Sequence, residues 1–254
     1  MFRAGLLLVS LSVFAAAQSA VKIPFTCTEK DMDQFGLTCT EEEPCPVFLE
    51  VSSVDSGAGR LIATGNLHTK NQTLYGVVLS SEDSGLTWKD GYTRIPFGSL
   101  EQVQFLDLQT GWISGESLDP LARNPFFLIT TDGGKTWRQK LIFEDTKYGT
   151  VAQFRFDSAT HGQFILDASQ GRNTRQELYE SNTGGESWEV RETSNKKLQL
   201  AGAGPGSFRV RVDAKADTFV VERGGGRAWD AIASFQVHTG DCGAPVPATG
   251  KDAE

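Results

Sequence analysis

Thr130-Thr131-Asp132-Gly133-Gly134-Lys135-Thr136-Trp137 decides the reading of the fold, because it recurs. An earlier copy is Ser81-Glu82-Asp83-Ser84-Gly85-Leu86-Thr87-Trp88. A later one, with Thr in place of Asp, is Ser181-Asn182-Thr183-Gly184-Gly185-Glu186-Ser187-Trp188. Gly224-Gly225-Gly226-Arg227-Ala228-Trp229 reads as a worn fourth copy. The tryptophans step by 49, 51 and 41 residues. A fixed period of this size marks a repeat architecture.

A second signal runs in phase with the first. Phe105-Leu106-Asp107 leads to Gly111-Trp112-Ile113, and Phe156-Asp157 leads to Gly162-Gln163-Phe164. Gly111 and Gly162 each precede their box tryptophan by 26 residues, and Asp55 with Gly59 reads as the same pair in the first repeat. Working outward, the second repeat divides into short apolar or alternating runs at Gln102–Leu106, Trp112–Ser114, Phe126–Thr130 and Trp137–Ile142. Gly and Asp stand at the corners, as turns require. The third repeat has the same order, and Thr28–Gln34 has room for one short helical turn.

Four antiparallel strands per repeat at a period of 40–50 residues predict an all-β fold, a small β-propeller of about four blades. The competing architecture, a β-sandwich, needs no repeated tryptophan. The expected organisation is a signal peptide at 1–20, an N-terminal extension at 21–44, the propeller at 45–242 and a disordered tail at 243–254.

Within each copy the chemistry is that of a turn. The Asp accepts backbone N–H groups across its own loop, Gly adopts positive φ, the hydroxyls bond locally, and the Trp buries a large ring. The expected structural set is Ser81, Asp83, Gly85, Thr87 and Trp88; Thr130, Asp132, Gly134, Thr136 and Trp137; Ser181, Gly185, Ser187 and Trp188; and Trp229. The motif resembles the Asp-box, or bacterial neuraminidase repeat, of sialidases, sortilin-type receptors and the photosystem II stability/assembly factor family. The element around Trp112 looks most like the assembly-factor branch. That resemblance covers about Cys45 to Trp229 and implies propeller architecture, with boxes at the blade periphery away from any active site.

Arg94-Ile95-Pro96 matches the sialidase Arg-Ile-Pro motif in letters, but it follows a box instead of preceding the first one. A supporting arginine triad is absent from the motifs, so Arg94 reads as a blade-connecting residue and no catalytic residue is assigned. The glycine triplet at 224–226 has no following Lys-Ser/Thr, so it does not read as a phosphate cradle. No C-x2-C pair exists, and His68, His161 and His238 are scattered, so neither metal nor cofactor is expected. Phe126, Phe127, Tyr148 and Tyr179 are candidate binding aromatics, each weighed against a place in the core.

Compartment and partner follow from the ends and the charge. Met1–Ala20 has Arg3, an apolar stretch and then small residues, with cleavage expected after Ala17 or Ala20. No membrane span is expected after cleavage. Twenty-four Lys and Arg against 32 Asp and Glu give a net charge of −8, which disfavours nucleic acid. Four cysteines after a signal peptide predict two disulfides in a secreted or periplasmic protein. The favoured pairing is Cys45 with Cys242, which would staple first strand to last and leave Cys27 with Cys39; the structural alternative is Cys39 with Cys45 and Cys27 with Cys242, and all three connectivities stay open. The expected function is a non-enzymatic protein-binding or assembly-factor-like module. A glycan-directed protein, whether a sialidase-like hydrolase relative or a carbohydrate binder, is the alternative.

Overall fold

A computed structural model describes residues 19–119, 121–201 and 206–243. The expected signal peptide up to residue 18, and the tail from 244, lie outside the described residues.

The fold is all-β: four antiparallel sheets, of six, four, four and three strands, arranged as a small propeller. Blade 1 contains β1 (Cys45–Gly57), β2 (Arg60–His68), β3 (Thr73–Ser81), β4 (Lys89–Asp90) and β5 (Ile95–Pro96). Blade 2 contains β6 (Gly98–Phe105), β7 (Gly111–Ser117), β8 (Arg123–Thr130) and β9 (Arg138–Leu141). Blade 3 contains β10 (Thr150–Phe156), β11 (Gly162–Asp167), β12 (Gln176–Ser181) and β13 (Glu189–Ser194). Blade 4 has three strands, β14 (Phe208–Asp213), β15 (Thr218–Gly225) and β16 (Ala228–Gln236). The last strand, β17 (His238–Cys242), leaves blade 4 and pairs with β1.

The in-phase glycines have a steric cause. A Cβ on Gly111 or Gly162 would collide with the ring of Phe105 or Phe156, which folds over the hairpin it opens. The first blade differs: β1 and β2 join through the tight Ala58-Gly59 turn, both residues at positive φ. Asp55 therefore sits inside β1 and is not the counterpart of Asp107, contrary to expectation.

Three of the four seams between blades are apolar. Ile62 and Val78 of blade 1 meet Leu100, Val103, Ile113 and Trp137 of blade 2. Trp112 and Phe127 of blade 2 meet Phe154, Phe156, Phe164 and Tyr179 of blade 3, with Trp112 stacked on Phe156 at 3.7 Å. Leu49, Ala63 and Leu79 of blade 1 meet Val221, Ala233 and Phe235 of blade 4. Each box tryptophan packs toward the preceding blade: Trp88 on Phe235, Trp137 in the first seam, Trp188 on Phe127.

The fourth seam is different. Among the described residues no buried apolar cluster joins blades 3 and 4. The connecting segment lies against blade 3 instead, with Leu198 N–H bonded to Gln176 and Leu200 N–H to Gln153. The cause is the missing fourth box. Gly224 and Gly225 end β15, and Trp229 lies in β16 just past the β15–β16 hairpin, not in a turn before an outer strand. Trp229 is thus not the fourth box tryptophan; it is half-buried under Arg209, 4.4 Å from its ring centre. After β16 the chain crosses directly to blade 1, so no box turn forms and no Trp plugs that seam.

The N-terminal segment occupies the edge β16 would otherwise expose. Val21 forms a parallel bridge to Phe235, and its N–H and C=O bond to Ser234 and Gln236. Ile23 and Phe25 are buried in the blade 4–blade 1 core. Helix α1 (Glu29–Phe35) follows, started by a Thr28/Asp31 capping box and ended by Gly36 at φ 61°.

The disulfides join Cys27 to Cys242 and Cys39 to Cys45, the alternative pairing and not the favoured ring-closing one. Phe25 N–H bonds Thr239 C=O, which lays the N-terminal segment along β17 and brings Cys27 to Cys242. The turn from Thr40 to Glu43 then returns Cys39 to Cys45.

Candidate functional site

The boxes share one hydrogen-bond scheme. Ser81 Oγ donates to Asp83 and accepts from Gly85 N–H at 2.8 Å. Asp83 also accepts from Thr87 N–H at 2.9 Å and from the Thr87 hydroxyl. Thr130, Asp132, Gly134 and Thr136 repeat this set, with Lys135 N–H as an extra donor. In the third copy the Thr183 hydroxyl replaces the carboxylate: it accepts from Ser187 N–H at 2.9 Å, while Ser181 Oγ accepts from Gly185 N–H. Gly85, Gly134 and Gly185 have φ of 97°, 79° and 94°, a region unfavourable to any Cβ. Trp88 and Trp188 donate their indole N–H to the carbonyls of Gly85 and Gly185.

These bonds set the charge of the boxes. The Thr87 hydroxyl, Thr87 N–H and Ser81 hydroxyl hold Asp83 down to about 2. Burial opposes the charge of Asp132, but Thr136, Thr130 and Lys135 outweigh it and hold this carboxyl also at about 2. Every polar atom of the aspartates is directed into its own turn. Arg94 is likewise engaged: it pairs with Asp90 at 3.3 Å, bonds the carbonyl of Pro24 and lies over the Phe25 ring. It fastens the N-terminal segment and does not line the propeller axis.

The axis holds a cavity of about 430 Å³ lined by the middles of β1, β6 and β10 and by the start of β14. Its walls carry an inter-blade clasp. Ser53 and Asp55 accept from the N–H groups of Val103 and Phe105. Gln102 and Gln104 each bond both backbone groups of Phe154 and Phe156, respectively. Gln153 and Arg155 bond Leu200 N–H and Ala201 C=O. Each pair stands 35 and 33 residues before its box tryptophan, a phase signal hidden because polar residues at i and i+2 look like ordinary strand alternation. Each inner strand also carries a bulge at the same phase, placing Ser52, Glu101 and Ala152 as the extra residues.

One carboxyl is buried with no cationic partner among the described residues. Glu116 is 3% exposed, and its Oε2 has no partner. Burial and the nearby charge of Glu101 push it up to about 8, against the single N–H of Val151.

The four candidate aromatics separate. Phe126, Phe127 and Tyr179 are core residues. Tyr148 is 49% exposed, on a rim where 121–124 and 147–149 are laced together by Asn124 N–H to Lys147 C=O and Gly149 N–H to Ala122 C=O. Leu121, 65% exposed, belongs to the same rim. Beside it lies a cleft of about 360 Å³ lined by Lys147, Tyr148, Asn173, Arg175 and Glu177. Glu177 is buried there. Although burial disfavours its charge, Lys147, the Tyr179 hydroxyl and Arg175 hold it at about 2.

No family model matches the chain, and no curated protein does. Solved structures are similar, two of them as follows. One is YCF48 bound to D1 peptide, at 18% identity and a TM-score of 0.39, covering 74% of this chain and 53% of that one. The other is YCF48 from Cyanidioschyzon merolae, at 19% identity and a TM-score of 0.39, covering 72% of this chain and 56% of that one. The chain spans about half the length of these structures. No helix among the described residues is long and apolar enough to cross a membrane.

Proposed function

We propose that this chain is an exported, non-enzymatic propeller that binds another protein in the manner of an assembly factor, in a secreted or periplasmic setting. The boxes and the inner-strand clasps hold the fold, and the rim around Tyr148 and Leu121 makes the contact. The observation that carries this reading is the placement of Tyr148: of the four candidate aromatics it alone stays on the surface, next to an exposed leucine and a charged cleft. Exposed aromatic residues are typical anchors of protein interfaces. Two disulfides agree with an oxidising compartment. The ionisable groups with displaced pKa values in the boxes and the rim are spent on structural partners, not aimed together at a common point.

The test uses the mature protein as bait against the envelope fraction of the exporting cell. A partner that then binds from purified components at fixed stoichiometry supports the reading. Saturable binding on a glycan array, or sialoside turnover that disappears in Arg94→Ala, overturns it.

A further inference from the structure

We propose that the axial cavity is a binding site for a small zwitterion, an unblocked peptide of two or three residues, held by Asp55 at its ammonium end and Arg155 at its carboxylate end. The cavity, about 430 Å³, lies in the size range of small-molecule sites. Among the described residues, Asp55 and Arg155 are its only ionisable lining residues. They belong to blades 1 and 3, which flank blade 2 on opposite sides. The cavity therefore carries one negative and one positive wall, and no ion pair joins the two groups.

The hydrogen-bonding capacity left over is as polarised as the charge. Gln102 and Gln104, between those walls, spend both ends of their amides on blade 3. Asp55 accepts one N–H on each oxygen, from Ser56 and Phe105, and each oxygen keeps further acceptor capacity. Arg155 donates one nitrogen to Ala201 at 2.7 Å, and its remaining N–H groups make no other hydrogen bond among the described residues. Burial holds the Asp55 carboxyl above its usual range, so its charge is one the fold leaves under-compensated. An anion would meet repulsion at Asp55 and a cation at Arg155. A ligand carrying both charges at its two ends satisfies both walls, and charge-assisted bonds of this kind are the strong ones. This site is independent of the rim surface, so either proposal can fail without the other.

The experiment is a titration of the mature protein with trialanine, followed by amide chemical shifts and calorimetry. N-acetyl-trialanine and trialanine amide serve as singly blocked controls. Saturable shifts at Ser53, Gln102, Gln104 and Ser207 are expected, with at least tenfold weaker binding of either blocked peptide. Arg155→Gln is expected to weaken trialanine at least tenfold and to keep the wild-type shift pattern elsewhere. Asp55→Asn is expected to do the same; because Asp55 also clasps Phe105, the blocked peptides and Arg155→Gln carry the test if that variant unfolds. Absence of saturable shifts, equal binding of blocked and unblocked peptides, or unchanged affinity in Arg155→Gln overturns the proposal.

Discussion

Cys45 and Cys242 face each other across the β1–β17 ladder, in register, and are bonded to other cysteines. The backbone closes the ring at this point, and the covalent staple goes to the N-terminal segment. That segment adds to blade 4 at Val21 and fills the blade 4–blade 1 core with Ile23 and Phe25. The Cys27–Cys242 bond therefore fixes an element the fold otherwise holds through few backbone contacts.

Non-reducing peptide mapping, with cleavage at Glu41–Glu43 to separate Cys39 from Cys45, is expected to recover Cys27 linked to Cys242. Removing that bond in a Cys27→Ser/Cys242→Ser variant is expected to cost about 5 kcal/mol in the loop-entropy model, reduced by whatever structure the unfolded chain keeps. Removing the short Cys39–Cys45 loop is expected to cost about 2 kcal/mol. Equal costs in denaturant unfolding would contradict this account.

The propeller and three of its boxes were legible because they rest on glycine and tryptophan, whose roles are local. Positive φ at Gly85 and Gly134, and a ring beside each turn, leave a mark in the sequence at fixed spacing. Trp229 misled because a glycine run before a tryptophan looks like a worn box, while the direct crossing from β16 to β17 that rules one out is a tertiary fact. Asp55 misled for a similar reason: a two-residue turn shortens the first hairpin and shifts its phase. The favoured Cys45–Cys242 pairing is wrong because spacing does not encode which strand the N-terminal segment follows. The clasp residues were invisible as a set, since the first two pairs bind the backbone of the next blade and the third, Gln153 and Arg155, binds the segment that follows its own blade. Tyr148 was one of four equivalent candidates until packing took the other three inward.

Trp137→Ala is expected to destabilise by about 3–5 kcal/mol, because a nearly buried ring leaves the first seam. Trp112→Ala is expected to match it: the ring stacks on Phe156, and its indole N–H bonds Gly184 of the third box. Trp229→Ala, outside any seam core, is expected to cost well under half as much. Chemical denaturation of the three variants checks the order, and a Trp229→Ala loss equal to the others would show that the fourth seam is packed after all.

Stability is expected to respond to pH through two opposed groups. Asp83 and Asp132 have depressed folded values, so their contribution is present above about 4 and is lost as pH falls toward 2. Glu116 has a raised folded value of about 8, so the folded state binds more protons between about 4 and 8 and stability falls as pH rises through that window. Glu116→Gln is expected to flatten the fall and to raise the melting temperature at pH 8. Thermal melts from pH 2 to 9 decide it; an unchanged slope in Glu116→Gln contradicts the burial argument.

Gln104→Ala removes both bonds to Phe156 and is expected to cost about 1–3 kcal/mol, with faster hydrogen exchange at the Phe156 amide. Gln104→Glu keeps an acceptor for that N–H but sets a carboxylate against the Phe156 carbonyl. It is expected to be destabilising at pH 7 and to recover partly at low pH. Exchange rates at Phe156 unaffected by either change would show that the clasp adds nothing to the seam.

If the boxes hold the fold and the Tyr148 rim binds the proposed partner, melting temperature and partner affinity, measured together, separate in two variants. Tyr148→Ala/Leu121→Ser is expected to melt like wild type and to lose the partner. Asp132→Ala is expected to melt lower, by the equivalent of about 1 kcal/mol, and to bind with full affinity in its folded fraction. The reverse result, in which Asp132→Ala keeps its stability and loses the partner while the rim variant still binds, would contradict the account.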